Sequence, residues 1–193
     1  MKTLHILYLA LLALGLSACQ GTEPQAQDHH PPMAAESLEP YECGEVTRLH
    51  TFEGVFLASQ PGEADFEQAS MGGIRTVINL RHDFEMPDMN EQAIVEGLGL
   101  NYVHVPWNGP DELTDEVLDS LRMQLNQAER PILMHCASAN RVGAVWLAYR
   151  MLEGGVSADE AKAEAKVVGL KSPAYEAKTL DYVARRASST PGS

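Results

Sequence analysis

Cys136, Arg141 and the four short residues between them, Ala137, Ser138, Ala139 and Asn140, have the types and spacing to do chemistry. A thiol at a helix start beside a guanidinium is the kind that ionises and attacks. Free backbone N–H groups at such a start, with the helix dipole behind them, hold an oxyanion. An arginine closing the loop can grip two oxygens with one fork. The plain alternative is a buried, inert cysteine beside a surface arginine.

This chemistry requires a strand to deliver the cysteine and a helix to end the loop. Ile132 to Met134 is a short apolar run of the sort found in a buried parallel strand. From Arg141 the pattern turns helical, with Val142, Val145, Tyr149 and Leu152 roughly on one face and Gly154-Gly155 as the stop. His135 is read as a brace of the loop through hydrogen bonds rather than as a proton carrier.

Strand and helix signals alternate through the rest of the domain. Val46 to Phe52 and Val55 to Ser59 read as paired strands around a turn at Glu53-Gly54. Ala64 to Met71 reads as a helix, Thr76 to Leu80 as a buried strand, and Tyr102 to Val105 as another strand. Asp88 with Glu91 has the spacing of a capping box for a helix ending near Leu98. Thr114 caps a helix whose Val117, Leu118, Leu121 and Leu125 share a face. Ser157 with Glu160 starts a further helix, and Ser172-Pro173 starts the last. The sum predicts a single-domain α/β fold, a mostly parallel central sheet with helices on both faces.

The ends read differently. Residues 1–18 carry one charge, Lys2, and an apolar run too short to span a bilayer. Leu16-Ser17-Ala18-Cys19 matches the lipobox of bacterial lipoproteins, which predicts lipidation of Cys19. Gln20 after it fits an outer-membrane destination, so the expected place is the cell envelope, lipid-anchored and facing the periplasm. Residues 19–42, with Pro24, Pro31 and Pro32 and few large apolar residues, read as a flexible tether. The domain is expected over 43–187 and a disordered tail over 188–193.

A formal net charge of −13 argues against nucleic acid as a partner and against binding anionic membrane by charge. Membrane attachment is expected through Cys19 alone. Neither metal-ligand spacing nor a nucleotide loop occurs, and His29-His30 is read as binding nothing, so no metal or cofactor is expected. With Cys19 assigned to lipid, Cys43 and Cys136 remain. They are read as free thiols, with a reversible bridge between them as the alternative.

Four stretches together carry a family resemblance: Ala58-Ser59-Gln60-Pro61; Gly73 to Arg81 with Glu85; Gly99 to Pro106; and His135-Cys136 to Arg141. From about Val55 to Leu152 the chain resembles the protein-tyrosine and dual-specificity phosphatase superfamily. Within it, the chain is similar to the bacterial beta-lactamase hydrolase-like protein phosphatase-like family. The resemblance implies hydrolysis of phosphate monoesters, on a phosphorylated protein or a small ester, through a phosphocysteine on Cys136. Loop residues Ala137 to Asn140 and Arg141 would bind the phosphate, and an acid on the loop after Pro106 would protonate the leaving oxygen. Asp111, after Asn108-Gly109-Pro110, is the candidate; first-turn helix electrostatics is the other reading of Asp111, Glu112 and Asp115. Trp107 is read as a pocket wall or a packing aromatic, Arg81 with Glu85 as an ion pair at the border of the site, and Gln60 as structural.

The chain departs from the usual phosphatase loop. Four residues rather than five separate Cys136 from Arg141, and Val142 stands where a hydroxyl residue commonly follows the arginine. Ser138 is the available substitute for that hydroxyl. Ala139 replaces a mid-loop glycine, so a positive φ there would be costly. The four-residue spacing is like that of rhodanese-type sulfurtransferases, which carry a persulfide on the cysteine. A sulfurtransferase and a non-catalytic anion-binding protein therefore remain as alternatives.

Overall fold

The computed structural model describes residues 37–189. The predicted leader, Cys19 and most of the predicted tether lie outside them, as do residues 190–193 of the predicted tail. The elements are β1 (Glu39–Pro40), β2 (Leu49–Phe52), β3 (Val55–Ala58), α1 (Glu63–Met71), β4 (Thr76–Asn79), a 3-10 turn (Asp83–Glu85), α2 (Glu91–Gly97), β5 (Asn101–His104), α3 (Asp115–Gln127), β6 (Ile132–His135), α4 (Asn140–Leu152), α5 (Ala158–Val168) and α6 (Pro173–Ser189). None of the described helices is long and apolar enough to cross a membrane.

The sheet order is β1-β2-β3-β6-β4-β5. β3, β6, β4 and β5 run parallel, whereas β1 and β2 add antiparallel to one edge. This is the mostly parallel α/β architecture expected from the sequence. β2 and β3 meet in a tight turn where Glu53 and Gly54 both have positive φ, 46° and 73°, the backbone of a hairpin turn that matches strand twist.

Alternation along the strands feeds two cores. Val55, Leu57, Ile78, Ile132 and Met134 face one side, and Phe56, Ala58, Val77 and Leu133 face the other. α1 and α2 cover the second core with Phe66, Ala69 and Val95. α3 to α6 cover the first, where α3 places Leu118, Leu121 and Leu125. α4 is buried along its whole first half, Arg141 through Ala148. It lies between the sheet and the outer helices α5 and α6, and Gly143 permits the approach. A Cβ there would stand 2.7 Å from the Leu170 amide nitrogen. The helix that receives the cysteine loop is therefore held on every side.

Three sequence expectations need correction. The tether does not reach residue 42, because Glu39 and Pro40 pair with Thr51 and His50 and Leu38 and Tyr41 pack on the two cores. Helix α6 continues through residues 188 and 189, where a tail was expected, and Ser188 Oγ donates to the Ala184 carbonyl. The capping box at Asp88 does not form. Asn90 caps α2 by accepting from the Ala93 amide at 3.2 Å, and Glu91 is drawn away into the protein. Thr114 and Ser157 cap α3 and α5 as predicted.

Candidate active site

β6 ends at His135, and the chain enters the loop at Cys136, which is 1 % exposed. Ala137 and Ser138 are exposed, and Ala139 is buried with φ 64° and ψ 4°. The mid-loop alanine thus adopts the left-handed conformation that a side chain disfavours. Its neighbour across the turn is Gly169, where a Cβ would stand 3.0 Å from the Ala139 Cβ. Asn140 Oδ1 accepts from the amides of Lys171 at 2.7 Å and Ser172 at 3.1 Å, which ties the loop to the α5–α6 connection. That side chain is a structural tie. Among the described residues, the amides from Ala137 through Val142 donate to no protein acceptor. They are the unpaired donors that a helix start offers an anion.

Arg141 is the most constrained member. Its Nη1 donates to the carbonyls of Leu80 at 2.9 Å and Trp107 at 2.7 Å and to Glu85 Oε1 at 2.8 Å. Nη2 donates to Glu85 Oε2 at 2.6 Å. The sequence reading paired Glu85 with Arg81, and those side chains do approach at 3.6 Å. The two-pronged partner of Glu85, however, is Arg141. One edge of the guanidinium is therefore committed to the protein. By donor count, Nε–H and the second Nη2 hydrogen remain for a ligand.

Charge in this corner is balanced. Burial alone would raise the Glu85 carboxyl, but hydrogen bonds from Arg141 and the His82 amide, with the charges of Arg141 and Arg81, hold it down at about 2. Burial pulls Arg141 the other way, and contact with Glu85 and the Cys136 charge raises it above its ordinary value.

Behind the cysteine a second set of polar groups runs in sequence. His135 Nε2 donates to Glu91 Oε1 at 2.8 Å, both side chains being at most 1 % exposed. Burial pushes the Glu91 carboxyl up, but the His135 charge and hydrogen bond, then Gln60 and Arg81, bring it below its usual value. Gln60 Nε2 donates to Glu91 Oε2 at 2.8 Å, and Gln60 Oε1 accepts from Arg81 Nη1 at 2.6 Å. Arg81 in turn donates through Nη2 to the Glu85 carbonyl. Asn79 Oδ1 fixes the Arg81 amide at 2.7 Å, and Asn79 Nδ2 donates to the Tyr102 hydroxyl at 2.9 Å. His135 braces the loop as expected, and Gln60 is structural in the sense that it joins two charged groups.

The loop after β5 is held by other residues than the candidate acid. Trp107 is fully buried against Tyr175 at a ring distance of 5.0 Å. It is a packing aromatic, not a pocket wall. The Gly109 amide donates to the Tyr175 hydroxyl at 3.0 Å. Glu112 Oε2 accepts from the Asn108 amide at 2.6 Å and from His82 Nε2 at 2.7 Å. Asp115, the third carboxylate in this reading, pairs with Arg185 of α6 at 2.6 Å. Asp111 is exposed in the turn, and no hydrogen-bond partner is recorded for it among the described residues. Phe84, 74 % exposed, stacks on His82 at 4.9 Å.

Sequence reasoning missed Glu91, Asn79 and the tie made by Asn140. A signal for Glu91 was present: it stands at i of an apolar i, i+4, i+7 series with Val95 and Leu98, on the face that must be buried. Cys43 and Cys136 are both free. Cys43 packs with the α1 core and Cys136 with the α4 core, on opposite faces of the sheet. Burial, then the Asp65 charge, raises the Cys43 thiol.

Comparison with known proteins adds three findings. The family described as "Beta-lactamase hydrolase-like protein, phosphatase-like domain" matches residues 48–152. The beta-lactamase hydrolase-like protein of Agrobacterium fabrum is 28% identical over 108 residues, 54% of this chain and 25% of the relative. The chain thus spans about a quarter of the length of the curated relatives it matches. Among solved structures, a Neisseria meningitidis protein described as a "putative phosphatase" superposes with a TM-score of 0.56 at 25% identity, over 66% of this chain and 92% of that one. TpbA of Pseudomonas aeruginosa, solved in complex with pTyr, shares the fold with a TM-score of 0.58 at 21% identity, covering 75% of this chain and 88% of its own.

Proposed function

Because the chain belongs to the phosphatase-like domain family of beta-lactamase hydrolase-like proteins, we propose that it is a cysteine-dependent hydrolase of phosphate monoesters. The observation that carries this reading is the junction of three features. A cysteine stands at the strand end, a run of unpaired amides follows it, and Glu85 clamps one edge of Arg141 while the other remains available. A preorganised set of donors of this kind stabilises charge on a transferring phosphoryl group without reorganising.

In the first step the Cys136 thiolate attacks phosphorus in line, an S–P bond forms and the P–O bond to the leaving group breaks. The loop amides and Arg141 hold the three equatorial oxygens. Asp111, as the acid, gives its proton to the departing oxygen. In the second step Asp111 as carboxylate takes a proton from water, whose oxygen attacks phosphorus. The S–P bond breaks and the thiolate returns. Nothing in this cycle requires a metal or cofactor. The substrate is a phosphorylated protein or a small phosphate ester.

The proposed anchoring role rests on the sequence alone. Lipid on Cys19 would hold the domain at the periplasmic face of the envelope, with the tether as spacer.

Phosphate release from an aryl phosphate in the presence of reductant, by the chain lacking residues 1–19, tests the activity. Loss of release in Cys136→Ser supports the reading, and equal release in the variant overturns it. A sulfurtransferase is the second reading, favoured by the four-residue loop and by Val142, which is fully buried and offers no hydroxyl. It predicts thiosulfate-dependent sulfur transfer and no phosphate release. If both assays are silent while an anion still binds, the chain is an anion-binding protein.

A further inference from the structure

We propose that Gln60 is a positioning residue that couples the two ends of the cysteine loop through one oriented amide. The inference rests on Cys136 being the nucleophile of the proposed function.

The geometry is specific. One end of the loop is held by His135, whose partner is Glu91. The other is held by Arg141, whose partner is Glu85, the residue Arg81 also holds. Among the described residues, Gln60 is the single side chain that hydrogen-bonds to both sets. Its amide donates to a carboxylate, Glu91, at 2.8 Å and to the Pro61 carbonyl at 3.0 Å, and it accepts from a guanidinium, Arg81, at 2.6 Å. Its own backbone amide reaches the Ala137 carbonyl at 3.4 Å, so the same residue also touches the loop directly.

A side-chain amide has one accepting and one donating end, and the surroundings here permit one orientation only. Rotating it would set the carbonyl against Glu91 and the NH2 against Arg81. A glutamate of the same length accepts at both ends and would face Glu91 as a second carboxylate. A methionine of similar length has neither end. The requirement is thus for polarity rather than volume, and a residue with only a packing role would not show it.

The charged and titratable groups joined in this arrangement are His135 on β6, Arg141 on α4, Arg81 and Glu85 on the connection after β4, and Glu91 on α2; His135 and Arg141 are the two that flank the cysteine loop. A change at Gln60 reaches Cys136 through all of them. It is read most directly as the rate at which iodoacetamide alkylates Cys136 across pH.

The test uses the full chain, with alkylation followed on the Cys136 peptide by mass spectrometry and folding checked by thermal melting. Gln60→Glu is expected to change the Cys136 alkylation rate near neutral pH by about tenfold, the scale of coupling within one hydrogen-bonded network. The exchanged pair Gln60→Glu with Glu91→Gln restores a donor opposite an acceptor at the Arg81, 60–91 and His135 contacts, gives up only the bond to the Pro61 carbonyl, and keeps one carboxylate. It is expected to return the rate to within about threefold of the native chain. Rates in Gln60→Glu equal to native, or an exchanged pair no better than the sum of its single changes, would overturn the proposal. If Gln60→Glu does not fold, Gln60→Met takes its place: an altered rate in a folded protein supports the coupling, and a native rate overturns it. Alkylation reads the thiol whether or not phosphate is turned over, so a chain silent toward aryl phosphates still answers this question.

Discussion

The cysteine loop and the loop that follows β5 meet over the same site and are built in opposite ways. In the first, Cys136, Ala139 and Arg141 are buried, and charged partners hold both His135 and Arg141. In the second, the backbone is pinned by Trp107, Gly109 and Glu112, yet the candidate acid Asp111 is exposed and has no side-chain partner among the described residues. Groups that bind a transition state gain from being fixed beforehand. A group that delivers a proton to substrates of varied shape needs a hinge, and apo acids commonly stand away from the position they take with substrate. In the proposed cycle the first loop is the part that stays fixed and the second the part that adjusts to substrate.

The deepest break in that comparison is at the nucleophile. Cys136→Ser should lower phosphate release by about 10^4-fold or more while leaving thermal stability near native, since removing a nucleophile disables the whole unit. Arg141→Lys comes next, with a loss of about 10^3-fold in kcat/KM, because a lysine cannot hold Glu85 with one edge and phosphate with the other. Steady-state kinetics on the aryl phosphate checks both.

Glu85→Gln tests whether the rigid side is held by charge. It should cost on the order of 3 kcal/mol at neutral pH, as for one partner removed from a buried pair, read by denaturant unfolding. The pH dependence has a definite sign. Glu85 is held down at about 2 in the folded chain, so its stabilisation is complete above the ordinary glutamate range and is lost as pH falls from there toward about 2. The variant should lack that part of the acid limb, and an unchanged limb would show that the clamp is not electrostatic.

On the exposed side, Asp111→Asn should lower kcat about 100-fold on the aryl phosphate. Glu112→Gln, which loosens an exposed contact with His82, should change it by less than about fivefold. The reverse order would move the acid from Asp111 to Glu112. The smallest effect belongs to Ala139→Gly. Relief of left-handed strain is offset by the lost methyl contact with Gly169 and by a freer unfolded chain, so stability should change by less than about 1 kcal/mol. A larger gain would mean that the loop stores strain.

The sequence carried the fold well where the signal was local. Caps at Thr114 and Ser157, the Glu53-Gly54 turn and the apolar strands are written in neighbouring residues. Cys136 and Arg141 were legible for the same reason, as a single loop. What was not legible depends on which strands lie side by side. β6 enters the sheet between β3 and β4, and that insertion brings Gln60, Arg81 and Glu85 to the two ends of a loop far along the chain. Glu85 was therefore assigned to its sequence neighbour Arg81 rather than to Arg141. Glu91 was assigned to a cap because first-turn acids usually serve there, whereas burial of its helix face turned it toward His135. Asp88 lost its capping role to Asn90.

The short first strand bears on how separate copies of the chain meet. A sheet edge with a row of unpaired N–H groups invites strand addition from a neighbour. β1 offers two residues, and one of them, Pro40, has no N–H to give. Among the described residues the sheet ends on that side in a short margin, which offers the backbone of a second molecule little to pair with.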